Sequence, residues 1–196
     1  MKDMIKQHII GSIEVKNLML SEGALVSSIG QISEVIVSAY RNGNKVLIAG
    51  NGGSAADSQH MAAEFVSRFN FDRPALPSIA LTTDTSMLTA IGNDYGFDKV
   101  FSRQIEANGA KGDVFIGIST SGNSQNIIEG LKTAKARGLR TIGFTNKTGG
   151  KMAQFCDHCI KVPSMNTPRV QECHILIAHI ICAVVEDKIF GKEYKK

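Results

Sequence analysis

Lys45-Val46-Leu47-Ile48-Ala49-Gly50-Asn51-Gly52-Gly53-Ser54 is an apolar run that stops at a glycine-rich turn and then opens into helix-compatible sequence. A run that is apolar at successive positions, not alternate ones, suits a strand buried on both faces, as strands are in a parallel sheet. Outward from this stretch, runs of the same kind recur at residues 78–81, 114–118, 141–144 and 159–162, with helix-like sequence between them. The alternation predicts βαβ units: an α/β fold, a three-layer α-β-α sandwich on a five-stranded parallel sheet. Upstream, Ile5, Ile9 and Ile13 recur at helical spacing and a second helical pattern runs from residue 28 to 41. Two helices therefore precede the first strand, and residues 1–42 read as a helical arm on one domain spanning residues 1–196.

The 196 residues are 43% hydrophobic, enough for one core. The net charge is +4, but the basic residues are dispersed apart from a tail ending in Lys195 and Lys196, so no nucleic-acid-binding patch is expected. The longest apolar stretch, Ile175 to Val185, is interrupted by His179 and too short to span a bilayer, and no signal-peptide pattern follows Met1. The expectation is a soluble, cytoplasmic protein with no membrane partner. Four cysteines with no export pattern are expected to be thiols. Cys156-Asp157-His158-Cys159 is a CxxC, but Cys173 and Cys182 do not supply a second ligand pair at zinc-site spacing, so the pair reads as packing beside a strand.

Residues 168–189 form one helical pattern, apolar on nearly every side. Part of its surface must pack on the sheet and part on something else, for which a second copy of the chain is favoured over the N-terminal helices.

Two loops carry candidate chemistry. Ser119-Thr120-Ser121-Gly122-Asn123-Ser124 lies between a strand and a helix expected to start near Asn123. Converging hydroxyls and a helix N-terminus suit a phosphate, whereas an ordinary N-cap needs one hydroxyl. Asn51-Gly52-Gly53-Ser54 has the same strand-to-helix context, so both loops should emerge at the carboxyl edge of the sheet and hold one substrate between them. GxGxxG spacing and Gly-Lys-Ser/Thr are both absent, which argues against a nucleotide site. His60 and Glu64 are four residues apart and share a helix face, from which they reach one metal ion or substrate; a solvated face is the plain alternative. Gln171, Glu172, His174 and His179 are polar groups within or beside the last apolar helix. His179 is the unusual one, and its plain reading is a core histidine bonded to a backbone carbonyl.

Together these stretches, with Gly92-Asn93-Asp94-Tyr95-Gly96 and Arg169-Val170-Gln171-Glu172, resemble the phosphoheptose isomerase family along almost the whole chain. The serine-rich loop is shared by many sugar-isomerase (SIS) domains; the His60–Glu64 pair with Arg-x-Gln-Glu and His179 is more selective. The resemblance implies the flavodoxin-like SIS fold, conversion of sedoheptulose 7-phosphate to D-glycero-D-manno-heptose 7-phosphate for lipopolysaccharide or capsule, and a homotetramer. It implies zinc on His60, Glu64, Gln171 and His179, with Glu64 and His179 catalytic. Substrate contacts fall on Asn51, Gly52, Gly53, Ser54, Glu64, Asn93, Asp94, Ser119, Thr120, Ser121, Ser124 and Gln171. Thr167 and Pro168 stand where some relatives carry an acid. A histidine bound to zinc through its available nitrogen cannot also accept a proton there, so Glu64 is favoured as the base. Gln171 and His179 are eight residues apart, roughly 12 Å along one helix. One of them, His179 by preference, is therefore expected from a neighbouring subunit. The alternative reading is a non-catalytic relative of the same fold that binds a replication initiator or senses a sugar phosphate. Amino-sugar phosphate etherases share the fold but are longer and lack the combined set.

Overall fold

The computed structural model describes residues 1–194; Lys195 and Lys196, the end of the basic tail, lie outside the described residues. Five strands, β1 (Val46–Gly50), β2 (Ser78–Ala80), β3 (Val114–Ile118), β4 (Arg140–Asn146) and β5 (His158–Val162), pair in the order β2-β1-β3-β4-β5. Every pairing is parallel, with Val46 opposite Val114 and Val114 opposite Arg140. The helices are α1 (Lys2–Ser21), α2 (Gly23–Arg41), α3 (Gly53–Val66), α4 (Thr85–Tyr95), α5 (Val100–Asn108), α6 (Gln125–Ala136) and α7 (Thr167–Tyr194).

Successive strand residues feed opposite cores. Val46 and Ile48 of β1 join Ile32 and Ile36 of α2, Met61 and Phe65 of α3, and Ile177 and Ile181 of α7. Leu47 and Ala49 join Phe101 and Ile105 of α5 and Ile127 and Leu131 of α6 on the other face. Every residue of β1 and β3 is buried, which is why these strands read as unbroken apolar runs.

Three local expectations change. The second helix is no arm: α2 buries Ile29, Ile32, Ile36, Val37 and Tyr40 in the main core. Only α1 lies largely outside, burying Val15 and Met19 while Met4, Ile5, Ile9, Ile13 and Leu20 stay exposed. The helix after the serine-rich loop starts at Gln125, not Asn123, with Ser124 as its N-cap residue. Helix α7 buries Val170, Cys173, His174, Ile177, Ala178, Ile181, Cys182 and Val185, a stripe at steps of three and four that faces its own chain. For that stripe the intramolecular alternative holds; Ile180, at 38% exposure, lies off it.

Candidate metal and phosphate site

Strand order reverses between β1 and β3, because β2 lies on one side of that pair and β4 on the other. Such a switch point opens a crevice at the carboxyl ends of the two strands. The loops after β1 and β3 emerge there and are tied together: Asn51 Nδ2 donates to Asn126 Oδ1 at 2.9 Å, and Asn126 Nδ2 donates to Asn51 Oδ1 at 2.8 Å. Asn126 gave no signal of its own in the sequence.

The β3–α6 loop gathers its hydroxyls. Ser119 Oγ lies 2.9 Å from Ser124 Oγ and 3.5 Å from Ser121 Oγ. Ser124 is the N-cap residue of α6, yet its side chain makes no capping bond. This removes the plain reading of the loop, since the hydroxyl that would cap the helix turns inward toward Ser119. Gly122 has φ +69, and a β-carbon there would meet Gly149 O at 2.4 Å, so only glycine fits the turn. The loop rests on residues 149–152: Met152 N donates to Gly122 O at 2.9 Å, and Lys151 N to Asn123 Oδ1 at 3.1 Å. Thr120 is half-buried on the same loop.

The β1–α3 loop places Gly52, at φ +56, as the N-cap residue of α3 and Gly53 as its first residue, with Ser54 buried. A β-carbon on Gly53 would lie 2.5 Å from Gln171 Nε2, so the Gln171 amide lies against the start of α3. Two turns further along α3, His60 and Glu64 face α7. His60 Nε2 is 2.9 Å from His179 Nε2 and 3.3 Å from Glu64 Oε1, and one ligand atom from each of the three residues lies within 4.8 Å of the others. Phe69 packs against the His179 ring at 5.6 Å.

This arrangement corrects the expected sharing of His179 between subunits. His179 reaches His60 and Glu64 of its own chain because α3 and α7 pack side by side. Eight residues before His179 on α7 stands Gln171. It lies at Gly53, which is seven residues from His60 and so roughly 10 Å along the α3 axis. The core-histidine reading belongs to His174, not His179: His174 is fully buried, its Nε2 is 3.3 Å from Thr145 O, and burial holds its pKa down to about 4. His174 lies on the buried stripe and His179 does not, a distinction that helical spacing carries.

Asn93 and Asp94 remain apart. They sit at the end of α4, a helix with no buried residue, and among the described residues their side-chain hydrogen bond is to each other, 2.8 Å from Asn93 Nδ2 to Asp94 Oδ1. The Arg-x-Gln-Glu element divides by role. Arg169 NH2 pairs with Glu172 Oε1 at 2.9 Å, and Ser12 Oγ of α1 donates to Glu172 Oε2 at 2.7 Å, so these two residues fasten α1 while Gln171 faces α3.

Sequence reading missed the buried pair Arg73–Glu186, whose side chains are both 1% exposed. Arg73 Nε donates to Glu186 Oε1 at 3.1 Å, its NH2 to Glu64 O at 2.8 Å and its NH1 to Phe65 O at 2.7 Å. Glu186 also accepts from Phe69 N and Asn70 N. The end of α3 that carries Glu64 is thereby bolted to α7.

The His60, Glu64 and His179 donors fit the zinc that the resemblance implies. Tetrahedral zinc with bonds of about 2.0–2.1 Å to nitrogen holds its ligand atoms roughly 3.3 Å apart, close to the separations found. Two Nε2 atoms facing each other can share only one proton between them, so a cation suits the space better than two donors do.

Comparison with known proteins agrees with this architecture. The SIS-domain family model matches residues 14–146. The phosphoheptose isomerase of Aneurinibacillus thermoaerophilus is 61% identical over 194 residues, 99% of this chain and 98% of that protein. Phosphoheptose isomerase 2 of Campylobacter jejuni is 60% identical over 190 residues, 97% of this chain and 94% of that protein. The chain belongs to the phosphoheptose isomerase family. A solved phosphoheptose isomerase structure from Neisseria gonorrhoeae superposes with a TM-score of 0.89 at 44% identity, covering 95% of this chain and 98% of that one. As a phosphoheptose isomerase family member, this chain sets the serine-rich loop and the His60–Glu64–His179 cluster on elements flanking one crevice.

Proposed function

We propose that this chain is an aldose–ketose isomerase that converts sedoheptulose 7-phosphate to D-glycero-D-manno-heptose 7-phosphate in the cytoplasm, feeding heptose synthesis for lipopolysaccharide or capsule. The observation that carries the reading is the convergence of His60, Glu64 and His179 on α3 and α7, the helix that opens at the switch-point loop and its neighbour. Ser119, Ser121 and Ser124, with Thr120 beside them, take the phosphate, leaving the carbonyl end of the sugar to the cluster. His60, Glu64 and His179 hold zinc, and Gln171 serves the substrate side beside Gly53. When bound, zinc supplies Lewis-acid stabilisation of negative charge on the sugar oxygens.

The proton transfers fall to this chain's carboxylate. Glu64 removes a proton from carbon 1 and returns it at carbon 2, while the hydroxyl proton of the carbon 1 oxygen passes to the carbon 2 oxygen by way of the enediol, so that the carbonyl moves from carbon 2 to carbon 1 with no net gain or loss of protons. His179 directs Nε2 at His60 Nε2, so that nitrogen is committed to the cluster and Glu64 is the base. Its Oε1 lies toward His60, which leaves the other carboxylate oxygen for the proton.

Assembly completes the reading as a homotetramer with sites at subunit boundaries. Support comes from the exposed Ile5, Ile9 and Ile13 of α1, and from α4, which has no fully buried residue and carries Asn93 and Asp94 beside exposed Tyr95 and Phe97. The deciding measurement is metal content together with turnover of sedoheptulose 7-phosphate. Isomerisation that disappears on chelation and returns with zinc supports the enzyme; tight sugar-phosphate binding without turnover in the metal-loaded protein would favour a sensor instead.

A further inference from the structure

The Cys156–Cys159 pair is used neither by the crevice nor by the proposed reaction. Cys156 ends the 3-10 segment Lys151–Phe155, and Cys159 lies on β5 opposite Gly143 of β4. A β-carbon on Gly143 would meet Cys156 Sγ at 2.5 Å and Cys159 Sγ at 3.6 Å. The sheet therefore leaves a gap the size of a side chain, and both sulfurs converge on it. The two sulfurs face the same gap, and the Cys156 S–H donates to Met152 O at 3.3 Å. Both residues are half-buried, not sealed in the core.

The proton of the pair stays on Cys156. Its hydrogen bond to Cys159 and its burial push the Cys156 thiol up, while the same bond, aided by the Lys161 ammonium, holds Cys159 below the usual thiol range. Cys159 is the nucleophile and Cys156 the resolving thiol. As a metal chelate the pair lacks support: among the described residues, the one cluster of three or more His, Cys, Asp or Glu donors is His60, Glu64 and His179. Two thiols without a third donor suit disulfide chemistry better than a metal.

The pair also sits beneath the serine-rich loop. Met152, whose carbonyl faces Cys156 Sγ, uses its N–H to hold Gly122 O at 2.9 Å, and Lys151 N holds Asn123.

We propose that Cys156 and Cys159 are a reversible oxidation site, converted to an intramolecular disulfide by exchange with a low-molecular-weight disulfide, and that the bond weakens phosphate binding in the loop above. The Cys159 thiolate attacks one sulfur of the external disulfide and expels a thiolate. Cys156 then loses its proton and attacks the Cys159 sulfur of the mixed disulfide, expelling the second thiolate. Two protein thiols and one external disulfide thus give one protein disulfide and two external thiols. An S–S bond of about 2.05 Å draws the two sulfurs well inside non-bonded contact, and it leaves no S–H for Met152 O. The floor of the loop shifts with Cys156. The effect on binding rests on the phosphate reading of Ser119–Ser124; formation of the disulfide does not.

The test equilibrates the full chain in glutathione buffers of stepped ratio, maps cysteine pairing by mass spectrometry after acid quenching, and measures sedoheptulose 7-phosphate affinity calorimetrically on the same samples. The expected result is a 156–159 linkage with Kd raised about tenfold, reversed by dithiothreitol and absent in Cys156→Ser and Cys159→Ser. Free thiols at both positions in the most oxidising buffer would overturn the proposal, as would a complete linkage with unchanged affinity. A wrong phosphate reading has its own mark: the reduced chain would then bind phosphorylated and free sugar equally.

Discussion

Glu64 and Gln are nearly the same shape, so exchanging them removes the base while leaving the packing of α3 intact. Glu64→Gln is expected to lower turnover by roughly 10²–10⁴-fold, with unchanged circular dichroism and sugar-phosphate affinity; a near wild-type rate would take Glu64 out of the mechanism. Ser124→Ala isolates a different function. Its hydroxyl points to Ser119 and does not cap α6. The thermal midpoint should therefore hold while phosphorylated ligands bind more weakly and free sugars do not. Equal weakening of both would count against the phosphate reading of the loop. His174 sets a pH dependence of stability. Its pKa is about 4 in the fold, against a value near 6.5 unfolded, because burial opposes its charge. Below pH 6.5 the unfolded chain binds a proton that the folded chain refuses. Stability is thus highest above 6.5 and falls progressively as pH drops toward 4, by on the order of 3 kcal/mol. His174→Gln should flatten that part of the curve of unfolding free energy against pH; an unchanged slope would assign the proton uptake to another group.

Between elements, the main fastening at the site is Arg73–Glu186, which joins the end of α3 to α7. Removing one partner leaves the other charge buried and unpaired, at a cost of about 3–5 kcal/mol, whereas removing both spares part of that. Arg73→Met and Glu186→Gln should each lower the denaturation midpoint, and the double variant should lose less than the sum of the two. Strict additivity would mean that the two side chains do not act as a pair. Sequence reading had no access to this contact, because 113 residues separate the partners and each alone looks like an ordinary surface charge. The strands were legible for the opposite reason. Val46–Gly50 and Val114–Ile118 are covered on both faces, so burial writes itself into every position of the run. The histidines of α7 fall between these cases: the stripe that contains Cys173, Ile177 and Ile181 also takes in His174, and reading the steps of three and four along it separates His174 from His179.

At the scale of the whole molecule, the cluster and the exposed helices predict different outcomes for mixed subunits. His60, Glu64 and His179 lie in one chain. Mixing inactive Glu64→Gln with inactive His179→Ala under conditions that allow exchange should therefore restore nothing. Mixing Glu64→Gln with Asp94→Ala should restore activity if α4 completes the neighbour's site, and failure despite demonstrated exchange would confine each site to one chain. The five parallel strands and both loops followed from local pattern, but Asn93 and Asp94 bond only to each other among the described residues, and a pattern along one chain does not record what meets that face. The reciprocal amide bond between Asn51 and Asn126 reaches furthest in its consequences. It joins the two walls of the crevice through groups that carry no charge and do not titrate in the physiological range. The contact that holds the serine-rich loop's wall to the wall leading to Glu64 is consequently insensitive to acidity and little affected by salt. On the proposed reading a sugar phosphate is measured by its carbon count, so a five-carbon sugar phosphate is expected to turn over far more slowly than the seven-carbon substrate, as parallel rate measurements would check.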